Sequence, residues 1–254
     1  KFPSSNLIGI DADPEAVLRA QKFLYEFGAR AKIVRARFDN TADALTQKGW
    51  SKVDFVLMDL GWSSPQFEDR GRGFSFQKQE ELLDMRFNPL EGKTAADILN
   101  GSLEDTLGAI FRRYGEEKKW REIAHAITEV RAKKPFEKVA DLLETIQKVK
   151  PRAGSKTHPA TLVFQALRIA VNDELGVLET ALGGAVEILE PGGRLAVITF
   201  HSLEDKIVKS FFENNGLKNG ALKALTKKPV VPTDAEIETN PRARSAKLRV
   251  AEKL

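Results

Sequence analysis

The first sixty residues hold three short apolar runs separated by turn and helix signals, and this alternation restricts the chain to a small set of folds. Leu7-Ile8-Gly9-Ile10 ends at Asp11, and Asp13-Pro14-Glu15 follows, with a helix-capping acid, a first-turn proline and a first-turn glutamate. Val17, Leu18, Leu24 and Phe27 supply one helical face, and Gly28 a stop. Ala31 to Ala36 reads as a second strand, Ala42 to Gln47 as a short helix, and Val53 to Met58 as a third strand ending at Asp59. Strands apolar on both faces that alternate with helices predict a mostly parallel sheet covered on both sides. Ligands of such sheets bind beyond the carboxyl ends of the strands. Asp11, Phe38 and Asp59 all fall at or just after those ends.

The pattern changes near Gln79. From there to Lys150 every periodic segment is helical: Ala95 to Leu99, Leu103 to Tyr114, Trp120 to Ala132 and Val139 to Val149. This predicts a helical insertion over 79–158, between core segments 1–78 and 159–254. Thr161 to Leu182 reads as one long helix returning the chain to the core. Pro191-Gly192-Gly193 is a predicted turn, Arg194 to Phe200 a buried strand, and Leu248 to Ala251 a last strand. Ser202-Leu203-Glu204-Asp205 has the spacing of a capping box opening a helix through Phe212, and Asn214 to Asn240 reads as a long loop or hairpin.

Several chemistries are excluded or weakened at once. The chain has no cysteine, so disulfides, thiolate metal sites and a cysteine nucleophile are absent, and a reducing cytoplasm is the expected compartment. His125, His158 and His201 show no metal-ligand spacing, and no metal is expected. No apolar run approaches a membrane span. Charge is uneven: Lys206 to Leu254 carries 11 Lys/Arg against 5 Asp/Glu, while the whole chain is only +4. A basic segment on a nearly neutral body suits a polyanion or, equally, a solvated surface.

The candidate chemistry lies mostly in loops. Asp11, at a strand's end with Asp13 already able to cap the helix, suits the paired hydroxyls of a ribose better than a second capping role. In Asp59-Leu60-Gly61-Trp62-Ser63-Ser64-Pro65-Gln66, glycine and proline preset the backbone and short polar groups cluster around a carboxylate. No G-x-S-x-G elbow is present, so a nucleophilic serine is a weak reading. Acceptors held against the N–H groups of an exocyclic amine, which draw its lone pair towards an electrophile, are a better one; a plain polar turn is the alternative. Arg70-Gly71-Arg72-Gly73-Phe74-Ser75-Phe76 suits phosphate contact and base stacking, or a surface loop anchored by its phenylalanines. Gln165, Arg168 and Asn172 share a helical stripe that lines a site or, more simply, packs the insertion. His201 contacts substrate, moves a proton, or is structural; Arg242 and Arg244 in Asn240-Pro241-Arg242-Ala243-Arg244-Ser245 fork onto phosphate or form a surface turn.

Taken in order, these segments resemble one family, the bacterial 16S ribosomal RNA cytosine-N4 methyltransferases, called small-subunit methyltransferase H or MraW. The matching runs are Gly9-Ile10-Asp11-Ala12-Asp13-Pro14, Asp59 to Gln66, Arg72-Gly73-Phe74-Ser75-Phe76, Leu83-Asp84-Met85-Arg86 and Tyr114-Gly115-Glu116-Glu117. They continue with His158-Pro159-Ala160-Thr161, Phe164 to Ile169, Pro191-Gly192-Gly193-Arg194, Phe200 to Asp205 and Asn240 to Ser245. The resemblance implies a Rossmann-like class I S-adenosylmethionine-dependent methyltransferase with a helical insertion domain. The substrate it implies is the N4 of a cytidine in the decoding region of 16S rRNA in the small ribosomal subunit, with a homodimer among the expected assemblies. By matched position Asp11 holds the cofactor ribose, Phe38 and Asp59 flank its adenine, and Gln66 also touches it. Asp59, Ser63 and Ser64 are the expected catalytic group, and Arg70, Arg72, His201, Arg242 and Arg244 the expected RNA contacts. Two departures stand out. The family's opening strand and glycine-rich loop have no match here, so the chain is expected to begin part-way into the core; and Trp62 replaces a small or aliphatic residue. Two other readings stay open: a non-catalytic RNA-binding remnant of this fold, and a nicotinamide oxidoreductase, against which the Asp59 loop argues.

Overall fold

The computed structural model describes residues 4–61, 71–151, 158–217 and 220–254. The chain folds as two compact units, residues 1–61 with 175–254 and residues 62–174, each treated by itself below. The first is the α/β core, the second is helical.

In the core, β1 (Leu7–Asp11) pairs in parallel with β2 (Ala31–Arg35), joined by α1 (Pro14–Phe23) and a 3-10 turn at Tyr25–Arg30. Asp13 caps α1 as expected, its Oδ1 accepting the Glu15 N–H at 3.0 Å, and Pro14 occupies the first turn. The predicted apolar face of α1 is mostly uncovered: only Val17 is buried, while Leu18 is 64% exposed. After α2 (Thr41–Gln47) comes β3 (Val53–Asp59), which joins a separate four-stranded sheet in the order β3-β4-β6-β5. Here β4 is Leu189–Thr199, β5 Leu222–Ala224 and β6 Lys247–Lys253. The β3–β4 pair is parallel, and β6 runs antiparallel to both β4 and β5. Among the described residues the core thus holds two sheets rather than one, and β1 and β3 each have a neighbour on one side only. Phe55 and Leu57 on β3 are each 55% exposed.

The turn predicted at Pro191-Gly192-Gly193 lies within β4. Val53 pairs with Leu189 and Phe55 with Arg194, so Glu190 to Gly193 bulge out between them. Helices α8 (Glu174–Ile188) and α9 (Ser202–Leu217) pack against this sheet. Leu178, Leu182, Ala185, Val208 and Phe212 meet Leu195, Val197, Met58 and Ala251 in a common apolar cluster.

The helical unit contains α3 (Ala95–Gly101), α4 (Glu104–Gly115), α5 (Trp120–Arg131), α6 (Val139–Val149) and α7 (Thr161–Asn172). Its core is large: Phe111, Phe136, Leu107, Ile123, Ile127, Leu142 and Leu167 are each 1% exposed or less. Burial on that scale contributes about 1.5–3 kcal/mol per large side chain. Gly115 lets α7 approach, because a Cβ there would lie 2.5 Å from the Leu162 carbonyl oxygen.

Two expectations need correction here. The long helix Thr161 to Leu182 is broken at Asp173, which adopts a left-handed φ of 49°, a conformation acidic and amide side chains tolerate better than most. In consequence α7 belongs to the helical unit, placing Val163, Phe164, Ala166 and Leu167 in its core, and the division falls at 61/62 and 174/175. The segment Asn214 to Asn240 is not simply a loop, since it includes β5 and α10 (Asp234–Thr239). Thr233 caps α10 by accepting the Glu236 N–H, and the Thr-x-x-Glu spacing was readable in the sequence. No helix among the described residues is long and apolar enough to cross a membrane.

Candidate active site

The carboxyl ends of the parallel strands carry the acids that the sequence singled out. Asp11 closes β1, in register with Arg35 at the end of β2. Its Oδ1 accepts the Asp13 N–H at 2.8 Å, so Asp11 helps to shape the turn into α1 as well as standing at the strand's end. Phe38 follows β2 in a 3-10 turn, Phe38–Asn40, and leans on the core cluster. Thr41 Oγ1 donates to its carbonyl at 2.5 Å, and Arg37 forks onto Asp39 beside it.

Asp59 ends β3 opposite Ile198 of β4, and the Leu60 N–H makes one more bond to the Ile198 carbonyl at 3.1 Å. Gly61 then turns the chain away with a φ of +93°, and a Cβ there would lie 3.7 Å from the Phe200 ring. Asp59 remains open to solvent, yet burial by its surroundings pushes its carboxyl above the ordinary value of 3.8. Desolvation disfavours the charged form of a carboxyl group and produces that direction. Trp62, Ser63, Ser64, Gln66 and Arg70 lie outside the described residues.

Beyond β4 a cleft of about 240 Å³ is lined by Phe200, His201, Ser202, Val231 and Arg244 to Lys247. His201 also caps α9. Its Nδ1 accepts the Glu204 N–H at 3.3 Å, while Glu204 Oε2 accepts the N–H groups of Phe200 and His201 at 2.8 and 3.2 Å. This is a capping box with histidine in the usual serine position, one residue earlier than the expected Ser202–Asp205 pair. The accepting Nδ1 places the ring proton on Nε2, which is buried 3.2 Å from Glu204 Oε1 without a well-aligned hydrogen bond. His201→Ser should keep the cap, leaving the melting temperature within a few degrees of the parent, whereas His201→Ala should cost about 1 kcal/mol. A large stability loss in the serine variant would show that the ring does more than cap.

Asp205, thus released from capping, binds Arg249 Nε at 2.7 Å and Lys247 Nζ at 3.2 Å. Lys253 Nζ donates to the Val186 and Leu189 carbonyls, both at 2.7 Å. Part of the basic C-terminal charge therefore holds the fold together. Arg244 lines the cleft, and Arg242 shares its 3-10 turn, Pro241–Ser245, without lining the cleft.

Another of the expected RNA contacts has partners within the fold. Arg72 Nη1 donates to the Arg86 and Phe87 carbonyls at 2.8 and 3.1 Å, so that guanidinium braces a loop of the helical unit. Phe74 is buried and stacks on Phe87, and Phe76 stacks on His158 at 4.3 Å between centroids. The anchored-loop reading holds for these rings. The Gln165, Arg168 and Asn172 stripe likewise packs: Gln165 donates to the Tyr114 carbonyl, Arg168 forks onto Glu174, and Asn172 joins Met85 and Phe87.

An α/β core whose parallel strands end in Asp11 and Asp59 is the class of architecture in which ligands bind at the carboxyl ends of the strands. The chain belongs to the MraW methylase family, whose model matches residues 1–254. It is 49% identical over 269 residues to the ribosomal RNA small subunit methyltransferase H of Carboxydothermus hydrogenoformans, covering 100% of this chain and 86% of that one. Identity to the protein of the same name from Methylorubrum populi is 45%, covering 99% and 76%, and to that from Heliobacterium modesticaldum 44%, covering 98% and 84%.

Proposed function

We propose that this chain transfers a methyl group from S-adenosylmethionine to the exocyclic N4 of a cytidine in the decoding region of 16S rRNA. The observation that carries the reading is Asp59: a carboxylate at a strand's carboxyl end, raised in proton affinity by burial and followed by a left-handed glycine turn. The names of the similar proteins point to ribosomal RNA of the small subunit as the substrate class.

The residues present fit the cofactor's nucleoside part. A carboxylate (Asp11) matches ribose hydroxyls, and an aromatic face (Phe38) matches adenine. When bound, S-adenosylmethionine supplies an electrophilic methyl group on a sulfonium. The chain's part is to orient and polarise the acceptor. The cytosine amine has its lone pair delocalised into the ring, and a carboxylate accepting its N–H bonds returns electron density to nitrogen. Asp59 then receives the proton that the amine loses as the N–C bond forms, and passes it to solvent, to which it is exposed. Positioning accounts for much of the remaining rate.

The test is methyl transfer from labelled cofactor to small subunits that lack the modification, with N4-methylcytidine identified in the RNA digest; label appearing only in another nucleoside would overturn the cytosine-N4 reading. A non-catalytic remnant of the fold would bind rRNA but not S-adenosylhomocysteine, which calorimetry separates. Arg244→Ala combined with Arg242→Ala should weaken rRNA binding about tenfold and reduce the salt slope by about one to two units. Equal affinity and slope in filter binding would remove both arginines from the RNA interface.

A further inference from the structure

The described arginines of the helical unit divide by what holds them. Arg72 and Arg131 donate to backbone carbonyls, Arg86 forks onto Asp84, and Arg168 forks onto Glu174. Arg112, Arg113 and Arg121 are different: they are exposed, and each lies over an aromatic ring. Arg121 stands 4.2 Å from the centroid of Trp120, Arg112 stands 5.3 Å from the same ring, and Arg113 lies 5.9 Å from Tyr114. Lys118, in the connection between the helices, is exposed as well. None of these four cations makes an ion pair with a carboxylate among the described residues.

The local fold explains how they gather. Helix α4 ends at Gly115 and α5 begins at Trp120, so the last turn of one and the first turn of the next share an end of the unit. Gly108 admits the indole: a Cβ there would lie 2.7 Å from the Trp120 ring. Arg112 and Arg113 complement the carboxyl end of α4, but Arg121 sits in the first turn of α5, where the helix dipole disfavours a cation. An aromatic face takes the plane of a guanidinium and leaves its N–H edge free to fork onto an oxyanion.

We infer that Arg112, Arg113, Lys118 and Arg121, arranged on Trp120 and Tyr114, form a surface that grips the phosphate backbone of RNA. Trp120 acts there as a positioning residue for Arg112 and Arg121. The inference rests on the reading of rRNA as substrate, and it assigns the helical unit a part in holding that RNA separate from the residues of methyl transfer. Planar, outward-facing guanidinium groups without carboxylate partners suit forked phosphate contacts, each of which releases counterions from RNA.

The experiment compares the parent chain with Arg112→Gln/Arg121→Gln, with the charge-retaining Arg112→Lys/Arg121→Lys, and with Lys93→Gln/Lys133→Gln, which removes the same charge from exposed lysines elsewhere in the unit. The probe is small ribosomal subunits lacking the modification, titrated with salt around 0.15 M, the physiological range. The Gln pair should raise Kd about tenfold and flatten the salt slope by about 1.5, the Lys pair should recover part of the affinity, and the control pair should stay within about twofold of the parent. S-adenosylhomocysteine binding should be the same in all four. A parent that methylates subunits alongside a Gln pair with unchanged Kd and slope overturns the inference alone. A parent that neither binds nor methylates subunits overturns the inference together with the rRNA reading. Loss of binding to vesicles rich in anionic lipid, with rRNA binding intact, would reassign the surface to a membrane and overturn it too.

Discussion

Replacing Asp59 with asparagine is expected to lower kcat for methyl transfer at least about a hundredfold, the scale at which a positioned proton acceptor or charge stabiliser contributes. Asparagine keeps the shape of the side chain and the strand end, where Leu60 still bonds to Ile198. It loses the negative charge that draws on the amine hydrogens. Affinity for rRNA should change by no more than about twofold, because a single carboxylate adds no phosphate contact. Stability supplies a second readout with a defined sign. The carboxyl is held above its ordinary value of 3.8 in the fold, so the native state binds the proton more tightly than the unfolded chain does. Stability therefore declines as pH rises from the unfolded value through the folded one, and Asn removes that decline. At neutral pH the variant should melt no lower than the parent. The parent's kcat should also fall on the acid side as Asp59 protonates, at a pH above the ordinary 3.8 of an aspartate. A variant with near-parent kcat, or one whose lost activity tracks a lost fold, would remove Asp59 from catalysis.

The second large effect concerns Asp205. Arg249 is 6% exposed and its guanidinium depends on the Asp205 carboxylate, which Lys247 also approaches. Asp205→Ala would leave a buried cation unpaired, a change that costs about 3–5 kcal/mol. For a chain of this size that corresponds to a fall of roughly 10 °C in Tm. Burial opposes ionisation of Asp205, but the bonds from Arg249 and Lys247 outweigh it and hold the carboxyl below the ordinary 3.8. Its folded value is depressed, so this contribution is present above the unfolded value and is lost as pH falls through the folded one. The parent should lose stability in that acid window, and Asp205→Ala should not show that component. Replacing both partners, Asp205→Leu with Arg249→Met, should recover much of the loss, since the pair's removal is far cheaper than its rupture. Thermal melts across pH check all three statements; an unchanged Tm for Asp205→Ala would mean that Arg249 finds water or another acceptor.

Much of this was legible in the one-dimensional pattern. The apolar runs of β1, β2 and β3, the Asp13-Pro14 start of α1 and the helical spacing of Ala95 to Val149 follow from local rules, because a strand or helix declares its period within a few residues. The acids at strand ends were legible for the same reason: Asp11 and Asp59 are simply where the runs stop. The cap of α10, Thr233 with the Glu236 N–H, is equally local.

Partner choice was not legible. In the sequence, Ser202 and His201 are equally good neighbours of a helix start, and Asp205 is as good a capping acid as Glu204. The structure chose His201 with Glu204 because Arg249 and Lys247, more than forty positions away, claim Asp205. Arg72, Phe74 and Phe76 are neighbours in the sequence, but their partners Arg86, Phe87 and His158 appear only in the structure. The arginines with no carboxylate partner among the described residues, Arg112, Arg113 and Arg121, drew no notice in the sequence, because an unpaired cation is recognised only once every possible partner has a position.

By itself, then, the sequence determined β1 to β3, the helical run from Ala95 to Val149 and the acids that end β1 and β3, all set by interactions within a turn or two. Only the tertiary structure decided that Thr161 to Leu182 breaks at Asp173, that β3 and β4 pair across a bulge, and which charges bind the fold and which face outward. Those outcomes depend on contacts between residues far apart in the chain, and such contacts exist only after the chain has folded.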